Sequence, residues 1–399
     1  MRPRSDVGLR RVLVVLCVTE ITSWGVLYYA FPVLAPTISV HTGWSVSAVT
    51  AAFSASQIVS AAVGVVAGRW LDQYGPRLVM TAGSVLAVPA LLGVAEARSV
   101  VVFMAAWILV GVAMAGVLYQ PAFAALTRWY GPRRVSALTT VTLVAGLAST
   151  VFAPLTAALA ERLDWRTVYV VLAAVLAVVT IPLHAWGLRL PWPAVVADPA
   201  RHGPDAVAHS RPFLVLVVSM ALAAFAVYAV VVNLVPLLTE RGLSTSVAAW
   251  ALGLGGAGQV LGRLGYARLV ASTSVQARTA LVLLAAAVAT GALAVVTGPP
   301  TVVIILGVLV GVTRGVFTLV QATAVTDRWG SAHYGRLSGL LSAPLMITAA
   351  FAPWAGSALA GALGGYPGVF GVLAGVGVLA AGLPLASVPR LRGVGPSAP

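Results

Sequence analysis

The 399-residue chain has no lysine, and all 24 of its basic residues are arginine. It holds one cysteine, ten acidic residues and five histidines. Each shortage excludes a class of function. A Walker A loop needs its lysine to reach the β/γ-phosphates, so ATP-driven work by this chain alone is excluded. Schiff-base catalysis is excluded with it. Cys17 cannot form an intrachain disulfide, and no Cys/His cluster has metal-ligand spacing, so neither a metal nor a cofactor is expected. No nucleophile–base constellation is visible, and no enzymatic activity is expected. Charge is scarce as well: 9 % of residues are charged and 60 % hydrophobic, which excludes an ordinary soluble globular protein.

The chain is built instead from long apolar runs. A bilayer crossing takes roughly 20 such residues, and the pattern predicts twelve spans: 12–36, 47–70, 78–95, 100–127, 135–160, 168–190, 212–238, 246–267, 279–297, 301–326, 335–362 and 367–388. The first run is too long for the apolar core of a cleaved signal and is expected to be a span. Residues 191–211, rich in Pro, Ala, His and charge, read as a linker between two halves, 1–190 and 212–399.

The net charge of +14 is distributed by topology. Arginines follow every second span: Arg69 and Arg77, then Arg128, Arg133 and Arg134, then Arg189, Arg201 and Arg211, then Arg263, Arg268 and Arg278, then Arg328 and Arg336. Others lead the first span and close the chain. In the alternate loops Arg98, Arg162, Arg166 and Arg241 are balanced by Glu96, Glu161, Asp164 and Glu240. This positive-inside asymmetry predicts cytoplasmic termini and a cytoplasmic linker, and argues against nucleic acid as the partner. Exclusive arginine use points to a GC-rich bacterial genome, hence a bacterial plasma membrane.

Between spans two and three stands Gly68-Arg69-Trp70-Leu71-Asp72-Gln73-Tyr74-Gly75-Pro76-Arg77. Gly68 permits close helix approach and Gly75 a turn with positive φ. Asp72 suits a helix N-terminus, where its charge meets the positive end of the dipole. Arg77 reads as a cytoplasmic anchor. The pattern G-x-x-x-D-x-x-G-x-R in this slot resembles the signature loop of the major facilitator superfamily. The resemblance implies an all-α membrane protein of twelve transmembrane helices in two pseudo-symmetric six-helix bundles. It also implies that the Asp72 carboxylate meets the N-terminus of span eleven near Arg336. Ser23-Trp24-Gly25 is more loosely similar to the start of monocarboxylate and oxalate–formate type carriers.

The two halves repeat at an offset near 200 residues. Tyr28 and Pro36 match Tyr228 and Pro236, Gly111 matches Gly311, Arg128-Trp129 matches Arg328-Trp329, and Phe152-Ala153-Pro154 matches Phe351-Ala352-Pro353. Six spans followed by six similar ones give parallel repeats about an axis normal to the membrane. The second signature loop is degenerate: in the run from Gly262 to Arg268, Tyr266 stands where the acid would be. Span five, around Ser149, Ala153 and Ala157, looks like a faded form of the superfamily's antiporter motif.

Charge inside a span costs roughly 2.5–3.5 kcal/mol for a central arginine and is a functional hypothesis by default. Two such residues stand out. Arg314 lies in span ten, about 20 Å from the charged end at 1.5 Å per residue, with Thr318 and Gln321 on the same helix face. Its planar fork suits a carboxylate. Glu20 in span one is the proton candidate, unless it pairs permanently with Arg314 or with Thr19. Trp24 and Tyr28 share its face and could cradle a substrate. Tyr119, Gln120 and Asn233 are further candidate contacts, and Pro121 could bend span four. Ser47, Thr50, Ser54, Gln57 and Gln259 are weaker ones, since polar residues also join helices. Gly307, Gly311 and Gly315 read as a close-packing face. The resulting expectation is a monomeric secondary transporter of a small organic anion, with protons and the bilayer as its other partners. A proton-coupled drug exporter is the alternative, and a non-transporting receptor a remote one.

Overall fold

Backbone amides in hydrocarbon have no solvent to bond, so long apolar runs must satisfy them internally, and helices do this within one segment. In the computed structural model, which describes residues 6–193, 203–243 and 245–386, helices account for the regular structure and no strand occurs among the described residues. The first half contains α1 (Asp6–Trp24), α2 (Ala30–Thr42), α3 (Val46–Tyr74), α4 (Pro76–Glu96), α5 (Val100–Val117), α6 (Tyr119–Tyr130), α7 (Arg134–Gly146), α8 (Ala148–Ala160) and α9 (Trp165–Pro182). The short α10 (Pro204–Ala208) lies in the linker. There follow α11 (Arg211–Glu240), α12 (Thr245–Ser272), α13 (Val275–Val295), α14 (Pro300–Thr323), α15 (Thr326–Trp329), α16 (Tyr334–Leu363) and α17 (Tyr366–Gly382).

Local chemistry sets many helix ends. The hydroxyls of Ser45, Ser99, Ser210 and Ser274 each accept from the backbone N–H three residues on, capping α3, α5, α11 and α13. Asp164 caps α9, accepting from the amides of Arg166 and Thr167 at 3.0 and 3.2 Å. The Thr167 hydroxyl and those amides hold its carboxyl below the usual aspartate range. Gly75, at φ 77°, turns the chain between α3 and α4.

Among the described residues ten stretches are long and apolar enough to cross a membrane. One of them, Val100–Ala160, runs 61 residues. A straight helix of that length would extend about 90 Å, three hydrocarbon thicknesses, so it holds more than one crossing. It is interrupted by the turn Gly131–Arg133, where Gly131 takes φ 54°. Helix α12, 28 residues long, is not among the ten.

The expected rods are interrupted where sequence periodicity is blind. A π-helical turn, Gly25–Tyr29, separates α1 from α2. Span four breaks at Leu118, not at Pro121: a proline ring clashes with the carbonyl four residues back, here Val117, the last residue of α5. Span five breaks at Leu147. Several helices outrun their expected bounds, starting at Asp6 rather than 12, for example, because their ends extend into the polar interface beyond the hydrocarbon.

Three apolar cores result. One lies wholly in the first half, around Leu34, Trp107 and Tyr169, and one wholly in the second, around Val230, Leu293 and Phe370. The third joins the halves, from Leu71, Trp129 and Leu138 to Phe317, Tyr334 and Leu341. Glycines permit the tightest approaches. A Cβ on Gly311 of α14 would fall 1.9 Å from the Gly255 carbonyl oxygen of α12, and one on Gly315 2.2 Å from that of Gln259.

Candidate functional site

Two arginines of the second half face a wall of aromatic rings from the first. Arg314 of α14 places its guanidinium 5.2 Å above the ring of Tyr228 on α11. Arg263 of α12 is 5 % exposed and donates from Nη1 to the Thr142 carbonyl of α7 at 2.9 Å, across the boundary between halves. Gly146 makes room for it, since a Cβ there would come within 2.6 Å of the same nitrogen. The two guanidinium groups lie within electrostatic reach of each other and of Tyr29 and Tyr228. Among the described residues neither forms an ion pair with a carboxylate.

The aromatic wall is made by a helix irregularity. The π turn at Gly25–Tyr29 adds a residue to its turn, a feature frequent at functional sites. Phe152 of α8 presses on it so closely that a Cβ at Gly25 would lie 2.2 Å from the ring. Trp24 then contacts both Tyr28 and Tyr29, with centroids 5.2 and 6.4 Å away, and Tyr119 of α6 at 4.9 Å. Phe53 meets Tyr28 at 5.2 Å. Among the described residues no hydrogen bond is made by the hydroxyls of Tyr28, Tyr29, Tyr119 and Tyr228, and Tyr228 is 37 % exposed. Four phenol groups are thus left for something else to bond.

Glu20 stands apart. It is fully buried on α1, and neither carboxylate oxygen has a hydrogen-bond partner. Trp24 lies one turn on, and its Nε1 also makes no hydrogen bond among the described residues. The two structural roles envisaged for Glu20 are corrected here: it forms no ion pair with Arg314, and the Thr19 hydroxyl turns back to the Leu16 carbonyl at 3.4 Å.

The other expected contacts are divided. Thr318 bonds its own helix at the Arg314 carbonyl, 3.1 Å away, and Gln321 is half-buried one turn further on. Asn233 spends its amide on the Ala229 carbonyl at 2.8 Å and packs on Gly356. Gln120 lies against Gly64 and a small cavity lined also by Gly68, Pro121 and Gly335. Gln57 bonds Ser56 and Met114, Ser54 and Gln259 are half-buried, Thr50 is exposed, and the Ser47, Ser149 and Ala153 side chains lie outside the described set.

At the arginine-rich end the signature loop docks on the other half. The Asp72 carboxylate accepts from the amides of Gly335 at 3.1 Å and Arg336 at 2.9 Å, in the first turn of α16. Gly68 lies so near that a Cβ would fall 2.2 Å from the Gly335 carbonyl oxygen. Arg128 sits 3.8 Å from the same carboxylate and donates to the carbonyls of Asp72 and Ala332. Trp192 of the linker donates to the Asp72 carbonyl at 3.2 Å, its ring 4.6 Å from the Arg128 guanidinium. Arg77 donates to the Ala185 carbonyl at 2.8 Å, tying down the last turn before the linker.

Arg263, Tyr29 and Tyr228 were absent from the expected site. Arg263 was counted with the arginines that follow span eight, although the expected bounds of that span, 246–267, already contain it. In α12 it lies well inside, and Gln259, Arg263 and Tyr266 form a polar stripe at helical spacing that carried the signal. The repeat held the signal for Tyr228, which is the counterpart of Tyr28.

A helical polytopic fold, buried Glu20 and Arg263 without an ion-pair partner among the described residues, and halves docked at one end define a membrane transporter architecture. The family model for the Major Facilitator Superfamily matches residues 16–302 and 219–396, and the chain belongs to that superfamily. It is 28 % identical over 291 residues to monocarboxylate transporter 13 of Rattus norvegicus, covering 68 % of this chain and 66 % of the relative; the match thus spans just under two thirds of that protein. The fold resembles that of the E. coli fucose:proton symporter FucP (TM-score 0.74, 13 % identity, 94 % of this chain and 98 % of that one). It also resembles the human organic anion transporter MFSD10, TETRAN (TM-score 0.69, 16 % identity, 94 % and 99 %). At these identities the likeness to solved structures is one of fold.

Proposed function

We propose that this protein moves a small, monocarboxylate-like organic anion by alternating access, with proton coupling or exchange. One observation carries the reading: buried Arg263 and half-buried Arg314 lie within electrostatic reach of each other, and among the described residues neither has a carboxylate partner. Burying unpaired charge is costly, and an arriving anion offsets that cost. Free phenol hydroxyls beside the guanidinium groups supply further donors. Glu20, buried and unbonded near Tyr119, is the group to take up and release a proton. The names of the relatives, a monocarboxylate transporter and an organic anion transporter, agree with this class.

The membrane arrangement belongs to the same proposal. Residues 1–190 and 212–399 form two six-helix bundles, twelve crossings in all, joined by the linker 191–211. The arginine-rich end faces the cytoplasm of a bacterial cell, and the protein works as a monomer. The aromatic wall of Trp24, Tyr28, Tyr29 and Tyr119 favours one other reading, proton-coupled export of amphipathic compounds. Reconstituted vesicles separate the two. Saturable uptake of a radiolabelled monocarboxylate, altered by an imposed pH gradient, is expected. Efflux of a cationic dye without anion uptake would replace this reading with the second.

A further inference from the structure

The second half has lost the acid of its signature loop, yet a carboxylate still reaches across to the first half from elsewhere. Tyr266, in the position of the acid, is fully buried in its own half and shares a 2.7 Å hydrogen bond with Thr323. It makes no bond to the first half. Asp327 does: in α15, its Oδ1 accepts from Arg134 Nη2 at 2.8 Å, and its Oδ2 accepts from Arg278 of α13. The carboxylate is 10 % exposed, Arg134 27 % and Arg278 4 %.

The placement follows the internal repeat. Arg134 is the first residue of α7, which opens span five, as Gly335 and Arg336 stand in the first turn of α16, which opens span eleven. Span five is the repeat counterpart of span eleven. Asp72 receives the start of span eleven, and Asp327 receives the start of span five. The register of Arg128-Trp129 with Arg328-Trp329 sets Asp327 opposite Thr127, so the acid has been gained at the end of span ten and lost from the loop after span eight. The chemistry of the contact has changed with it. Asp72 binds backbone amides, whereas Asp327 binds a guanidinium.

We infer that Asp327 is the second lock of the arginine-rich end, holding the halves together through Arg134 in the state captured here. Arg278 orients the carboxylate from within its own half, and Arg134 alone carries the contact between halves. Without the Asp327 charge, Arg134 and Arg278 would repel across the boundary, so neutralising the acid removes a lock and adds a force that opens it. The inference rests on the alternating-access reading, but its test needs no substrate.

The test uses the full-length protein in proteoliposomes, with Cys17→Ser and a reporter Ser342→Cys. Ser342 is 6 % exposed on α16, on the stripe of Gly335 and Gly339, which pack against the α3 backbone. A membrane-impermeant maleimide reads how often that stripe opens. Arg134→Gln leaves the Asp327–Arg278 pair intact and is expected to raise the labelling rate by up to about fivefold, the range open to one partly exposed ion pair. Asp327→Asn should raise it further, and Asp327→Glu should return it toward the parent. Combining Arg134→Gln with Asp72→Asn should multiply the single effects, since the two locks share no partner. Unchanged labelling in Arg134→Gln would overturn the proposal and leave Asp327 a carboxylate internal to the second half. Failure of anion uptake with labelling as expected would overturn the proposed substrate while leaving the lock standing.

Discussion

Asp72 accepts the backbone N–H of Arg336 at 2.9 Å, joining the loop after the second span to the first turn of the eleventh. A charge–dipole contact of this kind is worth about 0.3–2 kcal/mol. That is enough to tilt two conformations of nearly equal energy and too little to decide whether the protein folds. Asp72→Asn is therefore expected to slow transport turnover severalfold while equilibrium binding of the same anion changes little. Paired initial-rate and binding measurements on one preparation check this. Lost affinity with normal turnover would place Asp72 in the binding machinery instead.

The neighbouring glycines make a steric prediction. A Cβ at Gly68 would meet the Gly335 carbonyl oxygen at 2.2 Å, and one at Gly335 would meet the Gly68 carbonyl oxygen at 2.5 Å. Neither backbone can yield without separating the halves. Gly68→Ala and Gly335→Ala should each increase maleimide labelling of the Ser342→Cys reporter and lower transport, in protein that still elutes as a single species in detergent.

Gly311→Ala probes packing inside one half. Its Cβ would fall 1.9 Å from the Gly255 carbonyl oxygen, forcing α12 and α14 apart. Overpacking of this kind costs typically 1–3 kcal/mol. A lower thermal midpoint of the purified protein is expected, without the selective increase in reporter labelling that the lock variants produce.

The central charges should separate by role. Arg314→Ala and Arg263→Ala are each expected to abolish measurable anion binding, with Lys a poor substitute because it lacks the planar fork. Glu20→Gln should leave binding largely intact and remove the response of uptake to a pH gradient. Because Glu20 and Arg314 form no ion pair, the double variant Glu20→Gln with Arg314→Gln should show additive effects on stability. Rescue of folding by the second change would reveal a hidden pair.

Topology gives the last prediction. Cysteines introduced at Ala200, outside the described residues, and at Gly298 should react with impermeant reagents from opposite faces of the membrane. Reaction of both from the same face would overturn the twelve-crossing proposal.

Much of this protein was legible without coordinates. Apolar runs of membrane length, arginines in alternate loops and one signature loop led to helices and the superfamily, because these depend on composition along the chain and on backbone hydrogen bonding that each helix satisfies alone. Arg314 and Glu20 stood out as candidates, since a charge within an apolar run is anomalous at the level of sequence. What only the tertiary structure decided is which groups meet. The π turn that gathers Trp24, Tyr28 and Tyr29 depends on Phe152 packing against Gly25 from another helix. Arg263 read as one of the arginines closing span eight until α12 carried it inside against Thr142. Asp327 meets Arg134 only because α7 packs beside the end of span ten, a contact between positions 193 residues apart. Periodicity describes one helix at a time, whereas a site between two halves is specified by the packing of helices far apart in the chain.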